Sequence, residues 1–239
     1  EDLQNSIEQL CGLPLESQLW EEAVFTARIA DYTPLWLDSL ISSTNLICCG
    51  AGKAKFTFIF NEECPVFKKG SSSDESDEYF GSRPFSFSEF ASRFALTAHE
   101  GLERLYSAFF RGKLICTGFD HIRKATINRF KTDVLSSSLG RVSFGRWKSS
   151  QPTDSLWRAL VSDPVESEFE NLELEKERAR QLLSRYGVIF RQLTDKEDKP
   201  LRWAAVFRAL RLMELSGEIV SGYFFEGVDS LQFVSQEGL

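Results

Sequence analysis

The chain has 239 residues, 42% hydrophobic and 26% charged, ordinary proportions for a soluble globular protein of one large domain or two to three small ones. Its net charge of −7 excludes a uniformly basic nucleic-acid binder, and no apolar run approaches the roughly eighteen residues of a membrane span. Cys11, Cys48, Cys49, Cys64 and Cys116 are odd in number and form no C-x-x-C pair, so reduced thiols in a cytoplasmic protein are expected, not a disulfide framework or zinc site.

In chain order, Thr33-Pro34 opens a helix, since Thr can cap and Pro suits the first helical position. Leu46–Cys49 and Phe56–Phe60 read as strands around a Gly50-Ala51-Gly52-Lys53 turn. Residues 68–81 are polar, Ser-rich and acidic, and read as a linker. Ser86 with Glu89 and Thr97 with Glu100 are two capping boxes, predicting two helices, the second ending at Gly112 before a strand at Leu114-Ile115-Cys116. Arg141–Phe144 is the candidate return strand, and a boundary is expected near 148–165. Glu168–Tyr186 reads as a helix stopped by Gly187, and Pro200–Leu215 as another. A strand at Glu218–Phe225, a turn at 226–230 and a return strand at Leu231–Val234 follow. Helices followed by a hairpin, seen three times, predict a mainly α (α+β) tandem array of about three winged-helix units with short β-hairpin wings. The expected divisions are 1–67, a linker at 68–81, 82–150 with an insertion, and 165–239.

Little catalytic chemistry is visible. Gly50-Ala51-Gly52-Lys53 is too short for a phosphate-binding loop, and no DEAH-like box follows. His99 reads as a solvated helix residue and His121 as a surface-loop residue. Asp31, Asp38, Asp120 and Asp229 are candidate glycosylase carboxylates in type only, with capping or turn roles favoured. Binding has more support. The acids concentrate in 71–78 and 163–177, and the remainder carries about +3. In the helix 200–215, Val206, Leu210 and Met213 share one face while Arg208 and Arg211 lie opposite, roughly 60° apart. Such a face suits phosphate, against the plainer alternative of solvated arginines. Arg146-Trp147-Lys148 places an aromatic between two cations, suited to single strands or to docking Trp147 between units. Arg191 and Arg202 could extend a basic track, and of Tyr223 and Phe224 one should be exposed and one core. The candidate nucleic-acid-binding set is therefore Arg146, Trp147, Lys148, Arg191, Arg202, Arg208, Arg211 and Tyr223.

Three blocks carry a family resemblance. Residues 7–52 include Trp20, Glu21, Ala27, Arg28, Asp31, Tyr32, Pro34, Leu37, Asp38 and Gly50-Ala51-Gly52. The middle adds Phe85, Phe87, Phe90, Leu105, Gly112, Leu114, Thr117, Arg123 and Gly145-Arg146-Trp147. Residues 182–233 add Arg185, Tyr186, Gly187, Val188, Arg191, Gly222, Tyr223, Phe224, Glu226, Gly227, Gln232 and Phe233. In this order they resemble the C-terminal region of Lhr-type (large helicase-related) superfamily 2 helicases. Departures lie at Leu46-Ile47-Cys48-Cys49, Cys116-Thr117-Gly118 and Ile219-Val220-Ser221, where the family carries more charge and aromatics.

The resemblance implies an ATP-dependent parent, using ATP and Mg, that moves on single-stranded DNA or an RNA–DNA hybrid in DNA repair. It implies winged-helix arrays followed by a β-barrel, similar to AlkZ-like glycosylases, and uracil-DNA glycosylase activity is associated with that region. No cofactor is expected in this segment, which begins Glu1-Asp2-Leu3 without Met and reads as an excised piece. It is expected to be non-catalytic alone, guiding DNA or positioning a terminal module, with the remaining domains of the same helicase as partners and oligomerisation possible. A protein-interaction scaffold and an incomplete glycosylase-like module stand as alternatives.

Overall fold

We describe a computed structural model of the chain in residues 2–67, 80, 83–130, 155–160 and 167–236. The helices are α1 Asp2–Gln9, α2 Thr26–Arg28, α3 Pro34–Ser43, α4 Cys64–Phe67, α5 Phe87–Arg93, α6 Ala98–Phe110, α7 Phe119–Ile127, α8 Glu168–Tyr186, α9 Arg191–Thr194 and α10 Trp203–Leu215. A π-helical turn, Trp20–Phe25, precedes α2, and 3-10 turns occupy Asn61–Glu63 and Lys199–Leu201. The strands are β1 Leu15–Glu16, β2 Leu46–Gly50, β3 Lys55–Phe60, β4 Leu114–Cys116, β5 Trp157–Ala159, β6 Val188–Ile189, β7 Ile219–Gly222 and β8 Gln232–Ser235. The fold is mainly α with small antiparallel sheets, as winged-helix units require. No helix among the described residues is long and apolar enough to cross a membrane.

The described residues group into two compact units, one of 2–6, 14–61, 80, 83–130 and 155–160, the other of 7–13, 62–67 and 167–236. In the first, one antiparallel sheet runs β1-β3-β2-β4-β5. Strands expected in separate pieces are thus neighbours, Cys48 opposite Cys116 and Cys49 opposite Ile115. The strand beside β4 is β5, within the stretch where a boundary was expected, with Trp157 opposite Cys116. Three residues give too short a run for a strand signal. The expected strand at 141–144 and most of the expected linker at 68–81 lie outside the described residues.

Aromatic packing fills this unit. Trp20 and Phe58 meet edge to face at 4.9 Å, and Trp20 Nε1 donates to the Phe56 carbonyl at 3.0 Å, satisfying the one polar atom of a fully buried indole. Both expected capping boxes form, at α5 and α6. Gly50 has a packing reason to be glycine: a Cβ there would sit 1.8 Å from the Phe109 carbonyl oxygen, and Gly52 N–H donates to the Phe110 carbonyl at 2.9 Å. The end of α6 thus packs directly on the Gly50–Gly52 turn.

The positions that carry the resemblance also hold this unit together. Arg123, on α7, donates from Nε to Glu21 at 2.8 Å and from Nη2 to Asp38 at 2.8 Å. Tyr32 donates to the same Glu21 carboxylate at 2.8 Å, and that contact together with burial raises its phenol pKa, burial being the larger cause. The bidentate geometry is the strong form of a guanidinium–carboxylate contact.

In the second unit the order is α8, β6, α9, the 3-10 turn, α10, β7 and β8, with the sheet ordered β6-β8-β7. Ser167 caps α8 in a third capping box, with Glu170, and Gly187 at φ +73° ends it where a side chain would be strained. Ala179, Leu182, Val206, Ala209, Leu210, Met213 and Phe233 form the core. Beneath α10 lies a buried ion pair: Arg185 Nη1 reaches both Glu197 oxygens at 2.9 Å, Arg185 Nη2 donates to the Cys11 carbonyl, and Tyr186 donates to Glu197.

Candidate nucleic-acid interface

Helix α10 has the two faces its periodicity predicts. Val206, Leu210 and Met213 are buried, while Arg208 and Arg211 are exposed. Each arginine has an acidic neighbour: Arg208 Nη2 lies 3.1 Å from Glu168, and Arg211 pairs with Glu214. Arg191 is exposed and 3.5 Å from Asp195, one turn along α9. Arg202, also exposed, donates from Nε to the Glu197 carbonyl at 3.0 Å, which ties it to the buried ion pair. The Arg208–Glu168 and Arg191–Asp195 pairs are solvent-exposed and worth about 0–1 kcal/mol, so an incoming phosphate could displace those carboxylates at little cost.

Sequence reasoning missed Lys196 and Lys199, exposed in the segment leading into α10. The signal was masked by interleaved acids in Asp195-Lys196-Glu197-Asp198-Lys199. Folding turns Glu197 inward to Arg185 and pairs Asp195 with Arg191, which leaves the outward side more basic than the string suggests. Arg146, Trp147 and Lys148 lie outside the described residues.

The wing between β7 and β8 corrects a second expectation. Tyr223 and Phe224 do not alternate between core and solvent, because β7 ends at Gly222 opposite Gln232. Tyr223 is 74% exposed, Phe224 39% and Phe225 55%. The ladder is continued by one side chain. The fully buried Gln232 accepts from the backbone N–H groups of Phe224 and Phe225 at 3.0 and 2.9 Å. Its amide donates to the carbonyls of Phe225 and Val228 at 3.1 and 3.4 Å. Tyr223 and Phe225 are thereby presented outward on a braced turn, while the Phe224 ring lies over Gly222. Trp203 is not part of this display: its ring packs 5.0 Å from Phe207 and 6.0 Å from Phe233.

The other candidates resolve differently. His99 is exposed, as expected. His121 is not a surface-loop residue but lies buried in α7, its Nε2 3.3 Å from the Tyr106 hydroxyl and its ring edge-on to Trp157. In a helix, adjacent residues diverge by about 100°, so Asp120 meets solvent while His121 enters the core. Burial lowers its pKa to about 4. Asp38 is committed to Arg123, Asp120 pairs with Lys124 at 2.6 Å, and Asp31 and Asp229 are exposed. None of the four lines either of the two clefts formed by described residues, one beside α1 and α3 and one beside α5. Among the described residues no group of three His, Cys, Asp or Glu could hold a metal ion.

Residues 1–58 and 170–239 match two family models, each described as a winged-helix domain of the large helicase-related protein, Lhr, and together spanning more than half of the chain. The chain belongs to the Lhr winged-helix family. It is 24% identical over 96% of its length to the Lhr helicase/uracil glycosylase of Escherichia coli (strain K12), of which it covers 17%. It is 25% identical over 95% of its length to the Lhr helicase/probable uracil glycosylase of Mycolicibacterium smegmatis, of which it covers 16%. The chain thus spans about a sixth of the length of the curated relatives it matches. Its two matched segments are winged-helix domains of the Lhr type.

Proposed function

We propose that this region binds single-stranded DNA through the outer face of α10 and the adjoining wing, serving an ATP-dependent helicase that acts in DNA repair. The observation that carries the reading is the wing: Tyr223 and Phe225 exposed on a turn that one buried glutamine braces through the Phe224 and Phe225 backbone, on the unit whose α10 presents Arg208 and Arg211. Aromatic faces accept bases of any sequence, and guanidinium groups accept the phosphates between them. On a single strand the arginines exchange Glu168 and Glu214 for phosphate, while Lys196, Lys199 and Arg202 extend the cationic track. ATP and Mg would be bound elsewhere in the parent, and an RNA–DNA hybrid is the second substrate of this face.

The test is the affinity of the chain for a dT20 oligonucleotide with and without Arg208→Glu and Arg211→Glu together. We expect a loss of at least about tenfold and a shallower salt dependence, by roughly 1.4 in the slope of log K against log salt for two phosphates. Unchanged affinity and slope would remove α10 from the interface.

A second reading rests on Phe207, Leu212 and Leu215, which leave apolar surface exposed on the same helix. Helix α10 would then dock on protein, either a further domain of the helicase or a second copy. A glycosylase role gains nothing from the four candidate carboxylates and would rest on parts of the parent beyond this region.

A further inference from the structure

A cleft of about 380 Å³ opens on the first unit between the extended segment at 83–85 and helix α5. Phe85, Phe90 and Phe94 form its wall and floor, backed by Phe80, which stacks on Phe85 at 6.1 Å and on Phe90 at 5.7 Å. Phe85 and Phe94 are half-buried, so part of each ring remains reachable. Arg83 and Arg93 stand exposed on the rim, Arg93 with its guanidinium carbon 5.3 Å from the centre of the Phe94 ring. Neither makes an ion pair among the described residues. The one acid in the lining, Glu89, is occupied by the α5 cap, accepting from Ser86 N–H at 2.7 Å and Ser86 Oγ at 3.0 Å.

The site is preformed. Phe85 and Trp157 exchange two backbone hydrogen bonds at 2.8 Å, fixing one wall to the edge of the sheet. The capping box fixes the other. Little ordering cost therefore remains for a ligand. Its chemistry is narrow: the exposed parts of the Phe85 and Phe94 rings, against which a flat ring can stack, and two guanidinium groups to neutralise anions beside it. The volume lies at the small end of ligand pockets, suited to one nucleotide and not to a folded segment.

We propose that this cleft takes one unstacked base of a single strand, with the flanking phosphates held by Arg83 and Arg93. The site is distinct from the α10 face and does not rest on it.

The test uses the 239-residue chain carrying Arg208→Glu and Arg211→Glu, so that the α10 face is disabled in the background. A dT12 probe with a central 5-iododeoxyuridine is photo-crosslinked, and the modified peptide is sequenced. We expect the adduct within 83–94, lost in Arg83→Ala/Arg93→Ala. That double change should weaken dT12 binding by about tenfold, and Phe94→Leu by a comparable factor, while Phe94→Tyr retains binding. Unchanged thermal midpoints in the arginine variant would show the effect to be local. Adducts confined to other segments with dT12 affinity unchanged in the Arg83/Arg93 and Phe94→Leu variants would overturn the proposal. So would a cleft that prefers an acidic phenylalanine-containing peptide to dT12.

Discussion

The ion pair beneath α10 makes a sharp prediction about stability. Arg185 and Glu197 have side chains 2% and 3% exposed, and Arg185 Nη1 is shared between both Glu197 oxygens. Glu197→Ala leaves a guanidinium buried with only the Cys11 carbonyl as an acceptor, and deprives the Tyr186 hydroxyl of its partner. Removing one member of such a pair costs about 3–5 kcal/mol, because the remaining charge is uncompensated. Urea slopes of about 1–3 kcal/mol per molar for small domains place the expected fall in midpoint between roughly 1 and 5 M. The double variant Arg185→Met/Glu197→Leu separates attraction from desolvation. It removes both charges and keeps the volume, and should recover most of the loss, since the pair itself is worth little against apolar packing. The assay is urea unfolding followed by far-ultraviolet circular dichroism, with Glu197→Ala, Arg185→Met and the double variant measured together. A double variant as unstable as the two single variants added would refute the reasoning. The stabilisation would then belong to the contacts and not to avoidance of an unpaired charge.

Three further outcomes follow from individual residues. Gln232→Leu should cost about 1–3 kcal/mol by orphaning the Phe224 and Phe225 N–H groups, and those two amides should lose protection in hydrogen exchange while the α10 amides keep theirs. His121 is held neutral by burial, with a folded pKa of about 4 against 6.5 when unfolded. Its contribution is fully present above pH 6.5 and is lost as pH falls toward 4, by up to about 3 kcal/mol, and His121→Leu should remove that part of the slope in unfolding free energy against pH. Arg123→Met leaves Glu21 and Asp38 facing each other without their shared cation, and should destabilise the first unit by about 2–4 kcal/mol in thermal or urea unfolding while Arg123→Lys recovers only part.

Much of the local structure was legible because its signals are local. The capping boxes at Ser86 and Thr97, the Gly187 stop and the two-faced helix around Val206 and Arg208 depend on neighbours within a few residues. The five-stranded sheet was not, because β5 contributes three residues and meets β4 across a long chain separation that no periodicity encodes. Of the proposed binding face, Arg191, Arg202, Arg208 and Arg211 were visible as basic residues of the last unit, and the structure leaves each exposed. Phe225 was missed because a strand was expected to run through it, and Lys196 and Lys199 because the fold, not the string, decides which neighbouring acids turn inward. His121 was misplaced because residues 119–127 show no strong start signal: Gly118 precedes α7 and provides no side-chain cap. Several letters that carried the family resemblance, among them Glu21, Tyr32, Asp38, Arg123, Arg185, Tyr186 and Gln232, prove to be structural contacts.

The most direct measurement is hydrogen exchange of the 239-residue chain, read by mass spectrometry, with and without saturating dT20 at low salt. The account predicts slowed exchange in peptides covering 196–212 and 223–230, reversed when salt releases the strand. Protection absent from both segments while dT20 remains bound would contradict it.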